Sequence, residues 1–68
     1  MKYIDYLFEV TGEYSDLCGE RFFVEVLNNE DARDMAWDIA TENFPYEELE
    51  CIGTFSPVQA EAMGYDTY

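Results

Sequence analysis

The stretch 28-NNEDARDMAWDIATENF-44 decides how the rest of the chain is read. Ala32, Met35, Ala36, Ile39 and Ala40 recur at alternating spacings of three and one, which makes a single apolar stripe on a helix. Trp37 and Phe44 flank the stripe, and Pro45 stops it because its ring and missing amide hydrogen cannot continue the helix. Asn28 or Asn29 is placed to accept from the free first-turn amides. Glu30 and Asp31 then fall at the positive end of the helix dipole, which favours them. The stretch predicts one main helix over about 30–44.

On either side the period is two. In 2-KYIDYLFEV-10, Ile4, Tyr6, Phe8 and Val10 fall on one face, and Asp5 and Glu9 fall on the other beside Tyr3 and Leu7. In 21-RFFVEVL-27, Phe22, Val24 and Val26 point inward and Arg21 and Glu25 outward. The segment between them, 11-TGEYSDLCGE-20, has the Gly and acid content of a long loop, so the two strands should form an antiparallel hairpin. In 48-ELECIGTF-55 the period of two returns, with Leu49, Cys51 and Phe55 on one face and Glu50 and Thr54 on the other. Ser56-Pro57-Val58-Gln59 matches a capping-box start with Pro at the first helical position, and Gly64 is a natural stop, so 57–63 is a short helix and 65–68 a tail.

These elements predict an α+β fold: a three-stranded antiparallel sheet in the order β-β-α-β, with sheet order 2-1-3, one main helix on one face and a short C-terminal helix. The expected core is Ile4, Phe8, Val24, Val26, Met35, Ile39, Leu49, Cys51 and Phe55. A chain of 68 residues makes one domain spanning 1–68. Its 49% hydrophobic and 18% aromatic content excludes a disordered acidic tail.

Charge is the outlier. Sixteen Asp and Glu face three Lys and Arg, a net charge of −13. A small soluble domain does well with a net charge of roughly 2–8 in magnitude, so solubility does not require this one. Such a field repels nucleic acid and anionic membranes and attracts basic protein surfaces. No run approaches the ~20 apolar residues a spanning helix needs. The N-terminus enters strand-like sequence without an apolar signal region, and Cys18 and Cys51 are too few for a disulfide scaffold. A cytoplasmic protein with reduced thiols is expected, Cys51 as a small core residue and Cys18 as an inert loop thiol among acids.

Several chemistries lack their residues. There is no histidine, no CxxC pair, and no phosphate-cradling or zinc-binding motif. Loop acids Glu13, Asp16 and Glu20 near Gly12 and Gly19 do not have the alternating order of a calcium loop, so no metal site or cofactor is expected. So short a chain leaves scarcely any room for a substrate pocket of a few hundred Å³, and no enzyme is expected.

What the charge does is suggested by the same helix. Asp31, Asp34, Asp38 and Glu42, spaced three, four and four, form one line opposite the apolar stripe. Like charges at these spacings destabilise a helix by about 0.2–0.5 kcal/mol per pair. Arg33 points elsewhere and Lys2 is the only lysine, so the repulsion goes unrelieved. A bland reading is a solvated face of a generally acidic protein. A sharper one is a row shaped for a basic groove, about one carboxylate every 6 Å along the axis at ~1.5 Å per residue. Duplex DNA carries a phosphate every ~3.4 Å on each strand. Glu30, Glu47, Glu48 and Glu50, with Glu13, Asp16 and Glu20 of the loop, could fill in and widen that pattern.

In size and character along its whole length, this aromatic-rich, histidine-free αβ chain resembles the phage-encoded DNA mimics, among them the small anti-CRISPR proteins. The resemblance rests on no residue motif. It implies inhibition by occupancy: the protein would sit where target DNA, often its PAM segment, should bind in a CRISPR effector of the bacterial host, itself binding no nucleic acid. The competing class is an acidic interaction module, antitoxin-like or adaptor-like, or a homodimer using exposed side chains such as Trp37, Tyr3 and Leu7. Either a monomer or a weak dimer fits these readings.

Overall fold

The computed structural model describes residues 2–68. Five elements follow in order: β1 (Tyr3–Val10), β2 (Arg21–Leu27), α1 (Ala32–Asn43), β3 (Leu49–Phe55) and α2 (Pro57–Met63). The strands form one antiparallel sheet in the order β2-β1-β3, as the periodicity predicts. The hairpin loop closes where Gly19 adopts a left-handed φ of 91°, which lets its amide donate to Val10 while the Val10 amide donates to Glu20.

Helix α1 lies over β1 and β2 through an alanine seam, Ala32, Ala36 and Ala40, all buried. These small side chains let the helix approach Phe8, Val10, Phe22, Val24 and Val26 closely. Phe22 stacks on Phe8 and Phe44 at centroid distances of 5.5 and 4.4 Å, and Trp37 meets Phe8 edge-on at 4.9 Å. Ile4, Ile39, Leu49 and Cys51 are half-buried around this cluster. Met35 departs from the expected core: it is 44% exposed. It stands about 100° around the helix from Ala36, past the zone that the close alanine contact covers.

The opposite face of the sheet is also covered, so Leu7 is buried with Phe23 and Ala60 of α2 rather than exposed, and Trp37 is half-buried; of the three side chains expected outward, Tyr3 alone is exposed. Phe55 belongs to this second cluster. β3 pairs Cys51 with Phe8 but Gly53 with Leu7, so one extra residue, Ile52, bulges from the strand. Burial continues to alternate along β3, yet the side toward which it alternates changes at the bulge. Leu49 and Cys51 therefore face α1, whereas Phe55 packs edge-on against Phe23 at 5.9 Å on the α2 side.

The helix ends follow local chemistry. α2 carries the full capping box between Ser56 and Gln59, and Gly64 closes it at a φ of 78°. α1 starts at Ala32, about two residues later than expected: Asn29 accepts from the Asp31 amide through its side chain, so it shapes a turn ahead of the helix. The tail is no loose end. Phe23 donates to Asp66 and accepts from Tyr68, which lays residues 66–68 parallel to the outer edge of β2. The Tyr68 ring then meets Phe22 and Phe44 edge-on, each at 5.5 Å.

Candidate partner-binding surface

Helix geometry sets the acids of α1 on the side away from the sheet. Ala32, Ala36 and Ala40 face inward, and Asp31, Asp34, Asp38 and Glu42 are all exposed on the far side. The row extends about 16 Å along the axis, at ~1.5 Å per residue. Asp31 occupies the N-cap position, where the helix dipole offsets part of its repulsion from Asp34. Glu42 sits at the negative end, and no basic residue occupies the last turn. Only one ion pair forms among the described residues, between Arg21 and Glu9 at 2.9 Å, and it lies on strands β2 and β1, not on the helix.

The remaining candidates separate into groups. Glu30 is exposed in the turn leading into α1. Glu13, Glu47 and Glu48 come together in a broad open cleft of about 630 Å³ between the β1–β2 loop and the segment joining α1 to β3. That volume exceeds the expectation drawn from chain length, because the space forms between two loops at one end of the sheet and not within the core. A hydrogen bond from the Thr11 amide to the Glu48 carbonyl, 2.9 Å, ties its walls together. Asp16 and Glu20 are exposed in the same loop but do not line the cleft. Glu50 pairs with Glu9 across the strands and so faces the α2 side, away from the helix row.

Two residues in the cleft stand out beside the acids. Tyr14 and Tyr46 are 99% and 96% exposed, and both line it. Each follows or precedes a Glu within a turn, in 12-GEYSD-16 and 45-PYEE-48. A large aromatic where small polar residues are usual is the signal that could have marked them.

One carboxylate behaves in the opposite way. Asp5 is 1% exposed on the α2 face, between Glu25 and Phe55 of the neighbouring strands, and neither of its oxygens has a hydrogen-bond partner. Burial pushes its carboxyl above the usual range, and the negative charge of Glu25 pushes it the same way. Protonation would let Asp5 donate to Glu25, which two ionised groups cannot do.

Among the described residues no group of three or more His, Cys, Asp or Glu is arranged to hold a metal ion, and no helix is long and apolar enough to cross a membrane. Cys18 is exposed and Cys51 half-buried, both free. No protein-family model, curated protein or solved structure matches the chain.

Proposed function

We propose that this protein is a DNA mimic: an inhibitor that occupies the basic nucleic-acid-binding groove of a bacterial defence complex in the host cytoplasm, a CRISPR effector being the expected partner. One observation carries the reading. The row Asp31–Asp34–Asp38–Glu42 is wholly exposed, turned from the core and without a single cationic neighbour in the last helical turn. A stable helix would interleave Lys with these acids; a row meant for lysines and arginines of another protein would not. Bringing such a row into a basic groove relieves the repulsion and releases counterions, as phosphates do. Inhibition of this kind needs no catalysis.

Asp34→Lys combined with Asp38→Lys tests the reading. In competition with target DNA for purified CRISPR effectors, the variant should lose at least ten-fold in affinity, since buried charge pairs broken at an interface are costly. Its helix should become more stable, by about 0.5–1 kcal/mol, because the outer pairs with Asp31 and Glu42 turn attractive while the middle pair stays like-charged. Full-strength inhibition by the double variant would leave the row as a solvated face.

The exposed Tyr14 and Tyr46 favour a second reading, an acidic interaction module unrelated to nucleic acid or a weak homodimer. Salt separates the two, since mimicry should weaken steeply with ionic strength while an aromatic interface should barely respond.

A further inference from the structure

We infer that the cleft between Tyr14 and Tyr46 is a receptor for arginine side chains of the protein partner. The inference deepens the proposed reading by naming what part of a basic partner is recognised, and it rests on that reading for the partner's identity only. The two tyrosine rings have no role in the fold: both are almost fully exposed, and neither joins the ring contacts that hold the other aromatics. Exposed side chains of this size are favoured at interface centres, where they add contact area for little lost freedom. The backbone that carries both rings is held by the Thr11–Glu48 hydrogen bond and by the turn in which the Ser15 amide donates to the Gly12 carbonyl.

The chemistry of the lining selects the occupant. Glu13, Glu47 and Glu48 supply acceptors, and none of Lys2, Arg21 or Arg33 lines the space. A partner must therefore bring the positive charge. Two aromatic faces beside carboxylates suit a planar guanidinium, which stacks on a ring while forking two N–H groups onto a carboxylate. A lysine ammonium is a compact, strongly hydrated charge that cannot make the paired contact. About 630 Å³ leaves space for more than one such side chain. The cleft also lies beyond the C-terminal end of α1, in the segment that follows Glu42, so the helix row leads toward it. A groove that lays basic side chains along the row would reach the cleft with its arginines.

Titration of the ¹⁵N-labelled protein with a short Arg-rich peptide, and with its Lys counterpart of equal length and charge, tests this. The Arg peptide should shift the signals of Gly12, Tyr14, Ser15 and Tyr46, and bind at least five-fold more tightly than the Lys peptide. Tyr14→Ala with Tyr46→Ala should remove that preference with an unchanged melting temperature, since neither ring is packed. Equal affinity for both peptides, shifts confined to α1, or tyrosine-dependent self-association in place of peptide binding would each overturn the inference. The outcomes stay separable from those of the mimic. Arg selectivity at the cleft without competition against DNA removes the mimic and leaves the cleft; competition that Asp34→Lys with Asp38→Lys abolishes, without Arg selectivity, does the reverse.

Discussion

The two faces of the sheet bury aromatic side chains of the same strands under unlike covers. On the α1 side, Phe8, Phe22, Val24 and the alanine seam close without a polar atom among them, and Phe8, Phe22 and Phe44 stack in sequence with Trp37 set edge-on against Phe8. On the α2 side a seven-residue helix contributes a single buried residue, Ala60, over Leu7 and Phe23, and beside them lies the unpartnered Asp5. Acids show the same contrast. Those on α1 are in water, where each pair costs a few tenths of a kcal/mol. Asp5 is out of water, where an unsatisfied group costs about 1–3 kcal/mol and a charged one more. Position, not number, decides what a carboxylate costs this fold.

The largest expected effect tests the better-packed face. Phe8→Ala removes a fully buried ring and should cost about 3–5 kcal/mol. A chain of this length has a stability of only about 3–10 kcal/mol, so the variant should be largely unfolded by urea titration and circular dichroism. Its counterpart, Phe55→Ala, empties a half-buried site under α2 and should cost on the order of 1–2 kcal/mol. Equal losses would dissolve the distinction between the faces.

Next in size is a gain. Asp5→Val places an apolar, strand-favouring side chain in the buried site and should stabilise the protein by about 1–3 kcal/mol at pH 7. The effect must depend on pH with a definite sign. The folded state holds the Asp5 proton more tightly than the unfolded state, so the parent's contribution is intact below the ordinary value of 3.8. It is lost as pH rises through the raised folded value. Urea midpoints at pH 4 and pH 7 should therefore show the variant's advantage growing with pH. An advantage that is flat, or larger at pH 4, would mean Asp5 reaches water.

The smallest effect sharpens the boundary of the α1 face. Met35→Gln should change stability by less than about 0.5 kcal/mol, as at an ordinary exposed site. A loss several times that size would return Met35 to the core.

Much of this was legible in the chain because local periodicity is a property of neighbours. The change from period two to 3.6 and back places every element, and Ser56, Gln59 and Gly64 mark α2 at both ends. The row on α1 was legible for the same reason: its spacing alone sets it opposite the alanines. The second face was harder to read. Asp5 and Leu7 alternate with the inward residues and so look solvated, although the unbroken run Phe22-Phe23-Val24 does carry the mark of a strand covered on both sides. The bulge at Ile52 is marked only by Gly53 inside the strand, which does not say that Phe55 is reversed. The cleft depends on two loops meeting through Thr11 and Glu48, 37 residues apart, which no local pattern encodes.

The bulge and the paired tail have a consequence for the margins of the sheet. An open strand margin invites another chain to add its own strand, the usual route to sheet stacking and fibrils. Here the amide and carbonyl of Phe23 and the amide of Glu25 in β2 are already taken by residues 66–68. At the other margin, β3 is kinked by Ile52 and carries Glu50, and both features discourage an incoming strand. Both margins thus offer a borrowed strand less regular backbone to zip onto than a flat, bare edge would, which shifts recognition of this molecule toward its side chains.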